Sequence, residues 1–200
     1  MQHSKNSTNQ DLFPPESLPQ DEPHAASAAR FPLPPYDVHA SIQKLYQIAG
    51  LTLTSAPVPE IESAEYGAFR LALSGKNVVF RIAKTTPTKI GQFVTLWKRP
   101  SEGDEIAPFD SSDAVDFMVV SVHDASHRGQ FVFNRKQLLA EDVMSRNGEG
   151  GKRAIRVYPA WCRPTVKQAI KTQQWQLRHF FAISDDDSAN SERIRKLFEM

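Results

Sequence analysis

Residues Tyr66–Arg99, YGAFRLALSGKNVVFRIAKTTPTKIGQFVTLWKR, hold seven basic residues and no acidic one. The seven are Arg70, Lys76, Arg81, Lys84, Lys89, Lys98 and Arg99. The first part reads as a β-hairpin. Gly75-Lys76 suits a two-residue turn with glycine at the position that needs φ > 0. That turn sets a register in which Leu73 faces Val78, Leu71 faces Phe80 and Phe69 faces Ile82, all apolar and on one face. The other face then pairs Ala72 with Val79, Arg70 with Arg81 and Ala68 with Ala83. Both strands agree on which face is apolar, and a one-residue slip would destroy that agreement.

Downstream, the spacing predicts a short helix. Thr86 is a candidate N-cap, Pro87 fits the first helical position, and Pro100 stops the chain after Arg99. Ile90, Phe93, Val94 and Trp97 recur at i, i+3, i+4, i+7 and would form one buried stripe. Its start, KTTPTK, would set free N–H groups and threonine hydroxyls between Lys84 and Lys89, a site for an anion such as phosphate. The plainer alternative is a capped helix with solvated lysines.

Two hundred residues suit one domain with a core plus tails. No apolar run approaches the roughly 18 residues of a membrane span, and MQHSKNSTNQ does not read as a signal peptide. A lone cysteine, Cys162, excludes an internal disulfide and a multi-cysteine zinc site, and it points to a reducing cytoplasm. The net charge of +1 conceals two basic blocks, residues 66–100 and 145–179, each carrying +7. A near-neutral total therefore does not argue against a polyanionic partner.

Residues 1–35 hold half of the chain's prolines with Ser, Asn and Gln, and read as a disordered or loosely draped arm. A first helix is expected from the cap Asp37 to Ala49, ended by Gly50. Pro57 and Pro59 lead Glu60, Glu62 and Glu65 into the hairpin. After an acidic loop, FMVVSV reads as a strand buried on both faces, QFVFN as another, and residues 135–141 as a helix. The loop NGEGG precedes a last strand, KRAIRVYP. The longest helix is expected from Pro164 to Phe181, with residues 183–200 as a tail whose ERIRKLF adds a helical turn. The expected architecture is a single α+β domain over residues 36–182. Its sheet, mixed or mostly antiparallel, has about five strands with helices packed on it.

The second basic block places Lys152, Arg153 and Arg156 on a glycine loop and strand, with Tyr158, Trp161, Lys171, Trp175 and Arg178 following. Cations interleaved with aromatics suit a nucleic-acid groove, charge for the backbone and flat faces for bases. The competing reading makes Trp161 and Trp175 core residues. Asp110, Asp113 and Asp116 invite a Mg²⁺ site for phosphodiester cleavage, with Lys136 after the next strand. Asn134, however, stands where a restriction-type nuclease needs an acid. His123 and His127 sit in a turn without the glutamate of a zincin motif, and Cys162 lacks an evident base.

Several stretches resemble the MepB-like family. They are Phe80–Lys84, Thr86–Arg99, Ile106–Asp110, Gly129–Phe133, Asn147–Pro159 and Thr172–Gln176, spread over residues 36–182. The resemblance implies a fold related to the DNA-recognition parts of type IIS restriction enzymes, hence nucleic-acid binding. The expectation is a cytoplasmic domain that binds nucleic acid, DNA more readily than RNA, without catalysis, cofactor, metal or membrane. Its contacts would be Arg70, Arg81, Lys84, Lys89, Lys98, Arg99, Lys152, Arg153, Arg156, Trp161, Lys171 and Trp175. The alternatives are a degenerate metal-dependent nuclease on Asp113, Asp116 and Lys136, or a protein-interaction or small-anion module. The sequence leaves the oligomeric state open. It also poses a question about Arg70 and Arg81, like charges opposite each other: either they grip phosphate, or carboxylates such as Glu62, Glu65 or Asp113 neutralise them.

Overall fold

The computed structural model describes residues 36–101 and 103–199; the expected arm at 1–35 lies outside them. The hairpin forms from β2 (Phe69–Leu73) and β3 (Lys76–Ile82). Its turn is Ser74-Gly75 rather than Gly75-Lys76, so Leu73 faces Lys76, Leu71 faces Val78 and Phe69 faces Phe80. Both turn residues have positive φ, +49° and +76°, which the I′ geometry of a tight hairpin requires. Ser74 is held there by its neighbours. Its N–H donates to the Thr52 carbonyl and its Oγ accepts from the Thr52 N–H, while Gly75 N–H donates to Thr54 Oγ1. The register moves by two residues, so the faces survive and the partners change. Arg70 lies opposite Val79, not Arg81.

This hairpin belongs to a six-stranded mixed sheet in the order β1-β2-β3-β8-β9-β11. Its other members are β1 (Leu53–Pro59), β8 (Phe117–His123), β9 (Arg128–Asn134) and β11 (Phe180–Ala182). Every pairing is antiparallel except β3 with β8, at the centre. Strand alternation sorts the side chains into two cores. Phe117, Val119, Val132, Leu71, Val78 and Phe80 face one core, closed by α1 (Val38–Ser41), which runs on into a π-helical turn, and by α4 (Asp187–Leu197). Val79, Met118, Val120, Val122, Phe131 and Phe133 face the other.

The second core is closed by a small antiparallel sheet, and here the sequence expectation fails. Lys84–Arg99 is not a strand followed by a helix. It forms β4 (Lys84–Thr86), β5 (Lys89–Thr95) and β6 (Trp97–Lys98). Pro87-Thr88 is the tip between Thr86 and Lys89. β10 (Ala154–Val157) completes the order β10-β5-β4, and β6 pairs with β7 (Ala107–Pro108). Gln92, Val94 and Leu96 point inward at period two, and buried Val94 and Leu96 do the work assigned to a helical stripe. α3 (Lys167–Gln176) lies beside β10 of this layer, and α2 (Arg135–Ala140) packs against β9 of the larger sheet.

Two more expectations are corrected at the C-terminal end. α3 stops at Gln176, and after one 3-10 turn the chain becomes β11, with Phe180 opposite Phe131 and Phe181 opposite Gln130. Phe180 then enters one core and Phe181 the other, which a strand allows and a helix does not. The expected tail is α4, capped by Asp186, whose side chain accepts from the Ser188 and Ala189 N–H groups. Ile194, Leu197 and Phe198 are buried, and the Phe198 ring lies 5.0 Å from Phe117 and 5.6 Å from Tyr46.

Candidate functional site

The first basic block is largely neutralised from within. Glu60 stands between Arg70 and Arg81, with Oε1 2.7 Å from Arg70 Nε and Oε2 2.5 Å from Arg81 Nη2. Arg81 is only 1% exposed, so no external phosphate reaches it in this arrangement. Its burial pushes the guanidinium pKa down, and the charge of Glu60 acts against that. Lys84 pairs with Glu65 at 2.6 Å and sits over the Tyr66 ring, and Arg99 pairs with Glu62 at 2.7 Å. Lys98 pairs with Asp113 at 2.5 Å. Glu60, Glu62 and Glu65 come from one short 3-10 segment, Ile61–Tyr66, and the residue just before it. The question raised by the arginine pair is answered by a carboxylate and not by the phosphate favoured for it, and the carboxylate is Glu60 rather than Glu62, Glu65 or Asp113.

Asp113 and Asp116 of the nuclease alternative each have a partner, and Asp116 lines one small cleft with Asn134 and Lys136. Asp113 holds Lys98 and accepts from the Asp110 N–H; Asp116 accepts from the Asn77 N–H at 2.8 Å. Asn134 caps α2 by accepting from Gln137 N–H, and its Nδ2 donates to Glu199. Asp110 is held well below the usual carboxylate range by hydrogen bonds from the Gly148 and Ser112 N–H groups, then from the Ser145 and Ser112 hydroxyls. It ties the glycine loop to the acidic loop. Among the described residues no three His, Cys, Asp or Glu side chains converge as metal ligands.

Around the second block the picture differs. None of Lys152, Arg153, Arg156, Arg163, Lys167, Lys171 and Arg178 has a carboxylate within ion-pair distance among the described residues. Lys89, Arg153, Lys167 and Lys171 are exposed. Two adjoining clefts, of about 380 and 540 Å³, share Arg156, Tyr158, Gln168 and Ala169 and run between β10 and α3 to the β4–β5 tip. Lys152 and Trp175 line one, Thr88, Lys89 and the start of α3 the other. Glu141 also lines the first, and its carbonyl takes Lys152 Nζ at 2.6 Å.

Local structure explains the groove's shape. Gln176, fully buried, accepts from the Tyr158 N–H through Oε1 and donates from Nε2 to the Arg156 carbonyl. Its amide thus satisfies the open edge of β10 as a further strand would. Arg156 reaches the other way, donating to the Gly91 carbonyl and to Thr86 Oγ1, each at 3.0 Å. The start of α3 has no side-chain cap and no acidic residue in its first turn. This end of α3, with its uncapped N–H groups and positive dipole end, borders the cleft containing Lys89 and Arg156 through Val166, Gln168 and Ala169.

The structure brings Lys89, Lys152, Arg156 and Trp175 to one groove; Lys171 lies on α3 and Arg153 just before β10, both outside the lining. It places Arg70, Arg81, Lys98 and Arg99 around a different cleft. Trp175 packs on Phe133 at 5.2 Å while lining the groove, and so joins both of its expected roles. Trp161 stacks on His127 at 5.1 Å and meets Phe180 edge-on, outside the groove lining. Gln168 and Gln176 were missed, since uncharged polar residues give no sequence signal until a groove puts them together; Thr88 was marked within KTTPTK, at a helix start that is instead the β4–β5 tip.

The MepB-like family model matches residues 60–182. A solved structure, the crystal structure of MepB, is similar at 31% identity and a TM-score of 0.62, covering 66% of this chain and 88% of that one. No curated protein matches.

Proposed function

The chain belongs to the MepB-like family, and we propose that it binds nucleic acid, DNA in preference to RNA, in the groove between β10, α3 and the β4–β5 tip. The observation that carries this reading is the uncompensated charge there, against the internally paired charge of the first block. Lys89, Arg153, Lys167 and Lys171 supply mobile cations for phosphates, the α3 N–H groups supply fixed donors, and Trp175 and Tyr158 offer flat faces. A cytoplasmic setting suits the single free thiol. No helix among the described residues is long and apolar enough to cross a membrane.

A salt titration with short duplex DNA tests the reading. Affinity falls with salt at a log–log slope of about −0.9 per neutralised phosphate. Lys167→Glu with Lys171→Glu flattens the slope by about two contacts, whereas Lys84→Gln leaves it in place. A flat response in the unaltered protein overturns the reading. Binding occurs without cleavage, because Asn134 is committed to capping α2 and Asp113 to Lys98. Nicking in Mg²⁺ or Mn²⁺ that disappears in Asp116→Ala would reverse that second statement.

A further inference from the structure

A cleft of about 630 Å³, separate from the groove, is lined by Glu60–Ser63, by Trp97–Ser101 and by Arg70 and Arg81. Arg81 is its most buried charge, and the guanidinium is not fully used. One Nη donates to the Phe80 carbonyl, the other meets Glu60, and Nε is buried with no partner. Glu60 leaves Nε unmet: its two oxygens are divided, one to each arginine, and Oε2, 2.5 Å from Arg81 Nη2, is itself buried without a hydrogen-bond partner. A guanidinium favours a bidentate oxyanion. A terminal phosphate group, with an oxygen more than a carboxylate, can take Arg70 and both the Nε and Nη2 of Arg81, and a phosphodiester, with two free oxygens, can take the Nε and Nη2 of Arg81.

The segment that supplies Glu60 is held from outside. Glu62 and Glu65 are 49% and 68% exposed, and Ile61 is 86% exposed. Ser63 breaks the 3-10 geometry, and the segment ends at Gly67 in the left-handed region, φ +52°. Exposed ion pairs of this kind contribute little, so the segment is a strap whose main polar fastening is Glu60, with Ser63 buried and Tyr66 resting on Phe93 at its far end. We propose that this cleft is a phosphate-group site, and that the strap closes it by placing the Glu60 carboxylate where the phosphate binds. The site is independent of the groove between β10 and α3.

Thermal melts at fixed ionic strength, with inorganic phosphate exchanged for chloride, test it. In chloride, Glu60→Ala lowers Tm on the order of 10 °C, because Arg81 is left as an unpaired buried charge. Tens of millimolar phosphate restore at least half of that loss and move the unaltered protein far less, by binding linkage. Should Glu60→Ala fail to fold, the Glu62→Gln/Glu65→Gln double variant keeps Glu60 and frees the strap's other fastenings. Phosphate raises its Tm more than that of the unaltered protein, and adding Arg81→Gln abolishes the difference. Equal phosphate shifts in the unaltered protein and these variants refute the site. The same double variant identifies the source of the phosphate. A duplex-DNA salt slope steeper by about one contact, and brought back by adding Arg81→Gln, assigns the nucleic-acid backbone; a slope that Arg81→Gln does not change, beside a phosphate effect, assigns a small phosphorylated ligand. Loss of the groove reading leaves the melts unaffected.

Discussion

Arg81 shows how a single residue can be placed correctly on a face and still be misjudged in role. Alternation along β3 puts it on the same face as Arg70, as the sequence suggests, but that face lies under Glu60 and the guanidinium is 1% exposed. Arg81→Gln should destabilise the protein by about 3 kcal/mol, the lower end for a broken buried pair, since Glu60 is 22% exposed and keeps Arg70. Urea unfolding measures this, and an unchanged midpoint would show that the pair carries no stability. Glycines separate in the same way. Gly91 (φ +82°) has the Tyr158 ring 2.7 Å and the Val157 carbonyl 2.8 Å from where a Cβ would stand, whereas Gly75 (φ +76°) has open space. Gly75→Ala should cost about 1 kcal/mol for backbone strain alone. Gly91→Ala should cost about 3 kcal/mol, because overpacking against backbone adds to that strain. Equal losses in the two variants would remove the packing argument.

At the scale of elements, what was legible followed the strength of the periodic signal. FMVVSV and QFVFN are continuous apolar strands and were readable as such; both cores need their two faces. Lys84–Arg99 misled because Pro87 suits a turn tip as well as a helix start, and Ile90, Phe93, Val94 and Trp97 fit a helical stripe by coincidence. The deciding facts were β-branched Ile90, Val94 and Thr95, which favour a strand against a partner not yet identified, and Gly91, whose φ of +82° no helix accepts and which sits at the bulge between the Thr85–Gln92 and Thr86–Lys89 pairs. Of α4 only the last turn, in ERIRKLF, was legible; its length and its burial were hidden by composition. Three apolar side chains among acids and cations look like a tail until the first core supplies the surface they cover. Phe198→Ala should therefore cost about 3–5 kcal/mol, a core penalty and not a tail penalty. A loss below about 1 kcal/mol by chemical denaturation would mean that α4 is peripheral to folding.

Across the whole molecule, charge is distributed by contact and not by sequence block, which is why the two +7 segments proved unequal. Counting residues identified both; only the fold showed that Glu60, Glu62, Glu65 and Asp113 fold back onto the first and that nothing comparable among the described residues reaches the second. The same global view sets the pH response of stability. His123 and His179 both have pKa values lowered, in each case first by burial. Asp124 opposes the shift at His123 and Arg128 adds to it; at His179, Arg193 and Arg178 add to it, while the Val132 backbone and Glu199 oppose it. A histidine whose folded pKa lies below its unfolded value binds fewer protons when folded, so acid favours the unfolded chain. Above about pH 6.5, the ordinary histidine value, neither state is protonated and the two side chains contribute no slope. Tm should thus be level near neutrality and fall as pH drops below that value. Asp110 acts in a different window. Its folded pKa is depressed, so its stabilisation is intact through the histidine range and is lost only below about pH 4. Melting curves across this span should show two separate declines. His123→Gln with His179→Gln should flatten the upper one alone, and Asp110→Asn the lower. A single acid transition unaffected by the histidine pair would show that burial of these rings does not set the upper limb.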